Sequence, residues 1–284
     1  MAVSEKLKSL VDQMPDADNR GMYTTDIDKK KIEKAVAAIY EGGPENMRGL
    51  IAMLSEPGSP KNVKPHYALH CVVNYALVTK DEPGRKAFCE VMAAELGGDS
   101  PKHIQAYLCQ ELQWAGRAEA VAALGSVLTD EDLTTPASMA LVAIGGGVTG
   151  DRAAEQLRKA FPKAKGLARL NVVHSLAALA DKSSAGIFKE AIKDSDREVR
   201  LAAGSGSARI GDATAVRPLI EAAQIEPGWE RIQATKHCFL LAERLVADGK
   251  KDAAHGIYRH IRATRKAPGE AYLREAAEKS LATV

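Results

Sequence analysis

The chain is short of aromatic residues, at 5% of 284, and short of cysteine, with Cys71, Cys89, Cys109 and Cys238 too widely spread to form a Cys-x-x-Cys pair. That spacing argues against a zinc knuckle and against a disulfide framework, and the four read as buried free thiols. Few aromatics beside abundant Ala and Leu suit close-packed helices better than sheets, where Val, Ile, Thr and the aromatics are enriched. Charge of one sign is also lacking. Thirty-nine Lys and Arg stand against 37 Asp and Glu, a formal charge of +2, so no whole-protein field draws the chain to nucleic acid or to an anionic membrane. No window approaches the ~18 apolar residues of a membrane span. The N-terminal "MAVSEKLKSLVDQM" has no apolar core like a signal peptide's. A soluble protein is expected, cytoplasmic unless a leader has been removed from the chain.

What is present is a period. Turn-like stretches begin at Asp99, Asp130, Lys163, Asp194 and Glu226, at intervals of 31, 33, 31 and 32 residues, each between a shorter and a longer helical pattern. A second turn follows each longer pattern ("IGGGVTGD", "LADKSSA", "IGDATA", "VADGKKD"), and then another apolar periodic segment such as "AAEQLRKAF" or "AGIFKEAI". Two helices per unit follow, and a repeat of this length marks a helical array.

The clearest unit, "AGIFKEAIKDSDREVRLAAGSGSARIGD" over residues 185 to 212, resembles the HEAT repeat. The resemblance rests on Asp194, Val199, Arg200, Ala203, Ile210, Gly211 and Asp212, with weaker copies from about residue 26 onward. It implies an all-α fold, an α-α superhelix (solenoid) of about seven HEAT-like helix pairs over residues 26–284, preceded by an N-terminal helix and linker over 1–25. In this register Val199, Ala203, Ser207 and Ile210 share one face of a helix that runs through Gly204 and Gly206, although each glycine inside a helix costs roughly 1 kcal/mol relative to alanine. The same register buries Ile104, Leu108, Leu112 and Ala115, then Leu133, Ala137, Leu141 and Ile144, then Ala168, Val172, Leu176 and Leu179. Ser207 stands where HEAT repeats usually carry leucine. Two readings are open there: neighbouring helices approach closely, or a thinned wall leaves room for a ligand or a hinge. In a regular helix with space for a methyl group, Gly204→Ala is expected to stabilise by up to ~1 kcal/mol.

Several local patterns carry chemistry elsewhere and weigh little here. Gly145, Gly147 and Gly150 spell Gly-x-Gly-x-x-Gly, but a dinucleotide fingerprint needs a preceding strand, and "MALVAI" fills the helix slot of its repeat. His66 and His70 have the i, i+4 spacing of a helical metal pair, yet His-Glu occurs nowhere in the chain, so they read as part of a polar stripe with Asn74 rather than as metal ligands. The resemblance implies that Arg169 and Arg200, at the family's Val-Arg position, bond turn aspartates such as Asp194 in a ladder between repeats. Arg259, His260, Arg262, Arg265 and Lys266 form a short basic patch, usually a solvated face and suited to a helix C-terminus.

Repeats that touch only their neighbours leave a long surface lined by one helix of each pair. The resemblance implies that the longer helices line it and that the partner is a protein or an extended peptide. Beside their buried stripes lie His70, Asn74, Tyr107, Gln110, Trp114, Asn171, His174, Lys236 and His237, a mixture of aromatic and hydrogen-bonding groups. Trp114 and Trp229, the only tryptophans, cover a core edge or meet a partner. The leading expectation is a non-enzymatic scaffold with neither cofactor nor metal. The alternatives are a HEAT-like lyase or glycosylase component, with His174 as a candidate acid or base, and an anion- or nucleic-acid-binding module using the 259–266 patch.

Overall fold

The computed structural model describes residues 3–17, 27–146 and 150–284, and every regular element among them is helical. The chain divides into two compact units, Met1–Gln156 and Leu157–Val284. The first holds α1 (Glu5–Val11), α2 (Lys29–Glu41), α3 (Gly43–Met53), α4 (Pro60–Thr79), α5 (Glu82–Ala94), α6 (Lys102–Ala115), α7 (Ala118–Ser126) and α8 (Thr134–Gly145). The division falls inside α9 (Gly150–Ala160). The second unit holds α10 (Gly166–Ala178), α11 (Ala185–Ala191), α12 (Arg197–Arg209), α13 (Val216–Ala222), α14 (Trp229–Ala247), α15 (Lys251–Thr264) and α16 (Ala271–Thr283). In chain order α2 to α15 make seven helix pairs, flanked by α1 and α16.

Within each unit the longer helices lie side by side as one layer and the shorter ones as another. In the first unit α4 packs on α2 and α6, and α6 on α8, while α5 packs on α3 and α7. In the second, α12 packs on α10 and α14, and α11 and α13 back onto α12 and α14. The apolar stripes explain the layering. Leu108 and Leu112 on α6, Ala137 and Leu141 on α8, Val172 and Leu176 on α10, and Val199, Ala203 and Ser207 on α12 are all buried. Leu179 and Ile210, which the repeat register also places in the core, are only half-buried, because each is the C-cap at which its helix ends.

Residues 198 to 209 are one uninterrupted helix despite their glycines. The Asp196 carboxylate caps its start by accepting from the Glu198 amide at 2.8 Å, satisfying a backbone donor that the helix itself cannot. Both glycines are places of close approach. A methyl group at Gly206 collides with the Phe188 ring from α11, and one at Gly204 lies 2.9 Å from Nδ1 of His237 on α14. The expected gain from Gly204→Ala is therefore corrected: the space for the methyl group is taken by an imidazole. Of the Gly-x-Gly-x-x-Gly pattern, Gly145 ends α8 and Gly150 begins α9, while Gly147 lies outside the described residues.

A buried arginine ties helix ends together in each unit. Arg85 on α5 donates to the Ala115 carbonyl at the end of α6 and to Glu119 at 2.6 Å. Arg265 donates to the Ala223 carbonyl beyond α13 at 2.8 Å and to the Thr235 hydroxyl at 2.9 Å. Each fills a C-terminal acceptor that would otherwise be buried without a partner.

Candidate functional site

In the first unit several polar residues of α4 and α6, His70, Asn74, Glu111, His66 and Tyr107, are engaged with one another, whereas Gln110 and Nε2 of His103 have no partner among the described residues. Glu111 on α6 is buried, and its carboxylate accepts from Nδ1 of His70 at 3.0 Å. Asn74, one turn along α4, donates to the His70 carbonyl at 3.0 Å and lies 2.9 Å from its Nε2. The bond to Glu111 raises the His70 pKa against the opposing effect of burial. His66 stacks on Tyr107 with ring centroids 3.9 Å apart, and the Tyr107 hydroxyl donates to the His66 carbonyl at 2.9 Å. Burial lowers the His66 pKa. A cleft of about 270 Å³ beside them is bounded by Leu54, His103, Ile104, Tyr107 and Gln110. Trp114 stands apart near the end of α6, 67% exposed. Both nitrogens of His70 are engaged within the fold, and among the described residues there is no cluster of three or more His, Cys, Asp or Glu with the geometry of a metal site.

The second unit is arranged differently. A cleft of about 460 Å³ lies across three successive long helices. Leu170, Asn171 and His174 of α10 form one side, Glu198, Leu201, Ala202 and Ser205 of α12 the floor, and Trp229, Gln233 and His237 of α14 the other side. Helical spacing brings them together: 170/174, 198/202/205 and 229/233/237 are each three or four residues apart and share a face. The small side chains of α12 divide between two purposes. Gly204 and Gly206 admit His237 and Phe188, which is close packing, whereas Ala202 and Ser205 line the opening. Ser207, where the two readings are open, is itself buried and does not line this cleft.

Four of the lining side chains, His174, Ser205, Gln233 and His237, make no hydrogen bond or ion pair among the described residues. Burial, followed by the nearby charges of Arg209 and Lys236, pushes the His237 pKa down to about 4, so at neutral pH it is an uncharged imidazole that can donate from one nitrogen and accept at the other. Trp229 is 54% exposed, with the Arg197 guanidinium 5.1 Å from its ring centre. Periodicity alone pointed to Asn171, His174 and His237. Gln233 and Ser205 were not singled out for this surface, although each is one turn from a residue that lines it.

The remaining candidates separate. Arg169 donates to the Asp194 carboxylate at 2.6 Å, and Arg200 donates to the Asp194 main-chain carbonyl at 2.9 Å while its carboxylate partner is Glu230, at 2.6 Å. Burial works against the Asp194 carboxylate, but the Asp196 amide and the two arginines outweigh it and hold its pKa below the usual range. The basic patch is smaller than its sequence. Arg259, Arg262 and Lys266 are exposed, but Arg265 is 1% exposed and bonded inside the unit, and burial with the neighbouring Arg265 charge lowers the His260 pKa. Helix α15 ends at Thr264, so the chain turns inward before it presents a continuous cationic face.

The family model for HEAT repeats matches residues 151–237, a span that includes every residue lining the larger cleft. No curated protein matches the chain. Among solved structures, an engineered protein from the Northeast Structural Genomics Consortium is similar at 17% identity and a TM-score of 0.50, over 97% of this chain and 77% of that one. A designed armadillo repeat protein is 17% identical with a TM-score of 0.29, over 97% and 99%. At such identity the likeness to the engineered protein is one of fold. The chain is an all-α repeat protein that carries HEAT repeats over residues 151–237.

Proposed function

We propose that the protein is a non-enzymatic binding module that holds an extended peptide segment of a protein partner in the cleft between α10, α12 and α14. The observation that carries this reading is the set of unpaired polar groups, His174, Ser205, Gln233 and His237, opening into one cleft beside a half-exposed tryptophan. A polar group that has no partner inside the fold is available to one outside it, and amide, hydroxyl and imidazole groups suit the donors and acceptors of a peptide main chain. Trp229 adds an aromatic contact of the kind that anchors protein interfaces.

The enzymatic alternative lacks support from the same groups. His174 has no carboxylate to orient it, and the oriented imidazole, His70 on Glu111, has its other nitrogen beside Asn74. Nucleic-acid binding through residues 259–266 loses its buried member, Arg265.

The test is co-purification from the native host with the wild-type chain, a His174→Ala/Trp229→Ala variant and a Gln110→Ala/Trp114→Ala variant, all with unchanged melting temperatures. A protein partner retained by the third and lost by the second is expected. Equal retention by all three would remove the cleft from the account.

A further inference from the structure

We infer that the peptide bound in the second unit's cleft is acidic, with a side-chain carboxylate seated at the end of the cleft marked by Ser205 and His237. This deepens the peptide-binding reading and rests on it. Arg209 follows Ser205 by one turn of α12, and Lys236 follows Gln233 by three residues on α14, so each cation lies on the same side of its helix as a residue that lines the cleft. Both are exposed, and neither has a carboxylate partner among the described residues.

Arg244, two turns beyond His237 on α14, is likewise exposed without a carboxylate partner among the described residues, whereas the arginines nearer the start of these helices are paired. Arg169 is paired with Asp194 and Glu190, Arg197 with Glu198, and Arg200 with Glu230. The charge that remains uncompensated is therefore concentrated at one end. The His237 pKa is lowered first by burial and then by the charges of Arg209 and Lys236, which places both cations close to the imidazole.

The occupant that answers this pattern brings one or two negative charges, a main chain for the amide and imidazole groups, and an apolar side chain for Trp229. A long polyanion fits less well, because Glu198 in the floor of the same cleft takes up the Arg197 charge and leaves Arg209 and Lys236 to meet one or two negative groups rather than a continuous run of phosphates. Two cations and a neutral imidazole match a carboxylate, which accepts charge-assisted hydrogen bonds from both sides.

The experiment uses a random twelve-residue peptide library displayed on phage, selected on the full chain and counter-selected on the Trp229→Ala variant. The enriched peptides are then synthesised with each Asp and Glu kept or replaced by its amide. Acidic peptides are expected to dominate. Amide replacement, or the Arg209→Gln/Lys236→Gln variant, should weaken binding about tenfold, and more salt should weaken it further. Arg209→Lys/Lys236→Arg should restore it, and Arg209→Glu/Lys236→Glu should turn the preference toward basic peptides. Cleft-dependent peptides that are neutral, or whose affinity ignores the double Gln variant, overturn the charge assignment and leave peptide binding standing. A selection that yields no Trp229-dependent peptide overturns both. A single-stranded oligonucleotide that binds the same cations more tightly than any peptide would assign them to phosphate and overturn the inference.

Discussion

The two units show opposite uses of the same ingredients. Each places histidine, an amide side chain and tryptophan on its longer helices. In the first unit, however, His70, Asn74 and Glu111 satisfy one another, while Gln110 and Nε2 of His103 stay unpaired among the described residues beside the smaller cleft. In the second unit His174, Ser205, Gln233 and His237 all face an opening. His70 has Glu111 and Asn74, and Tyr107 has His66. His174, Ser205, Gln233 and His237 have no such partners among the described residues. Polar groups paired inside a fold stabilise it and rarely tolerate loss of one member. Groups left open add little to stability and remain available for recognition. Residue type on a helix face therefore does not identify a binding surface; the hydrogen-bond partners of those residues do.

The largest test of this contrast removes one polar residue from the first unit and, separately, two from the second. Glu111→Ala leaves His70 without its buried carboxylate and is expected to destabilise by about 3 kcal/mol, whereas His174→Ala and Ser205→Ala should each stay within ~0.5 kcal/mol. Denaturant melts of the three variants decide it, and equal losses would erase the difference between the units. Next in size is Gly206→Ala, which drives a methyl group into Phe188 and should cost about 2 kcal/mol by overpacking, read as a lower midpoint at unchanged slope.

The two units should also respond to pH with opposite sign. The folded pKa of His237 is about 4, below the ~6.5 of an unfolded histidine. The unfolded chain therefore binds the proton first, and the stability contributed by neutral His237 is present above about pH 6.5 and declines as pH falls toward 4, by roughly 1.5 kcal/mol at pH 5 after solvent screening. The folded pKa of His70 is raised, so its contribution is present below the unfolded value and is lost as pH rises through the folded one. Melts at about pH 5, pH 7 and pH 9 should show His237→Gln flattening the loss between pH 7 and pH 5 and Glu111→Gln reducing the loss between pH 7 and pH 9.

The smallest effect is at Gly204. Alanine there gains helix propensity but meets His237, so Gly204→Ala alone should melt no higher than wild type. In a His237→Ala background it should stabilise by up to about 1 kcal/mol. Additive effects in that double-mutant cycle would mean that glycine and imidazole do not share the space.

Much of the fold was legible because helix stripes repeat. The turns at Asp99, Asp130, Lys163, Asp194 and Glu226 fixed the period, and the stripes they predict on α6, α8, α10 and α12 are buried until each helix reaches its cap. The candidate surface was legible only as positions beside those stripes. Sequence spacing placed His70 and His237 in equivalent settings, and nothing in it revealed that Glu111, forty-one residues from His70 in the chain, lies against one imidazole while Gly204 makes room for the other. Arg265 failed for a similar reason. It continues a basic run in the sequence, but α15 ends one residue before it and the chain turns it toward the Ala223 carbonyl. Pairing across elements is a tertiary property, and it decides which polar residues remain open.

The most direct measurement is site-specific photo-crosslinking in the native host, with a benzophenone amino acid placed at His174 in one version of the chain and at Gln110 in another. Both positions are exposed on long helices, one in each unit. The account predicts a discrete protein adduct from position 174, abolished by Trp229→Ala, and none from position 110. An adduct from position 110 with none from 174 would contradict it.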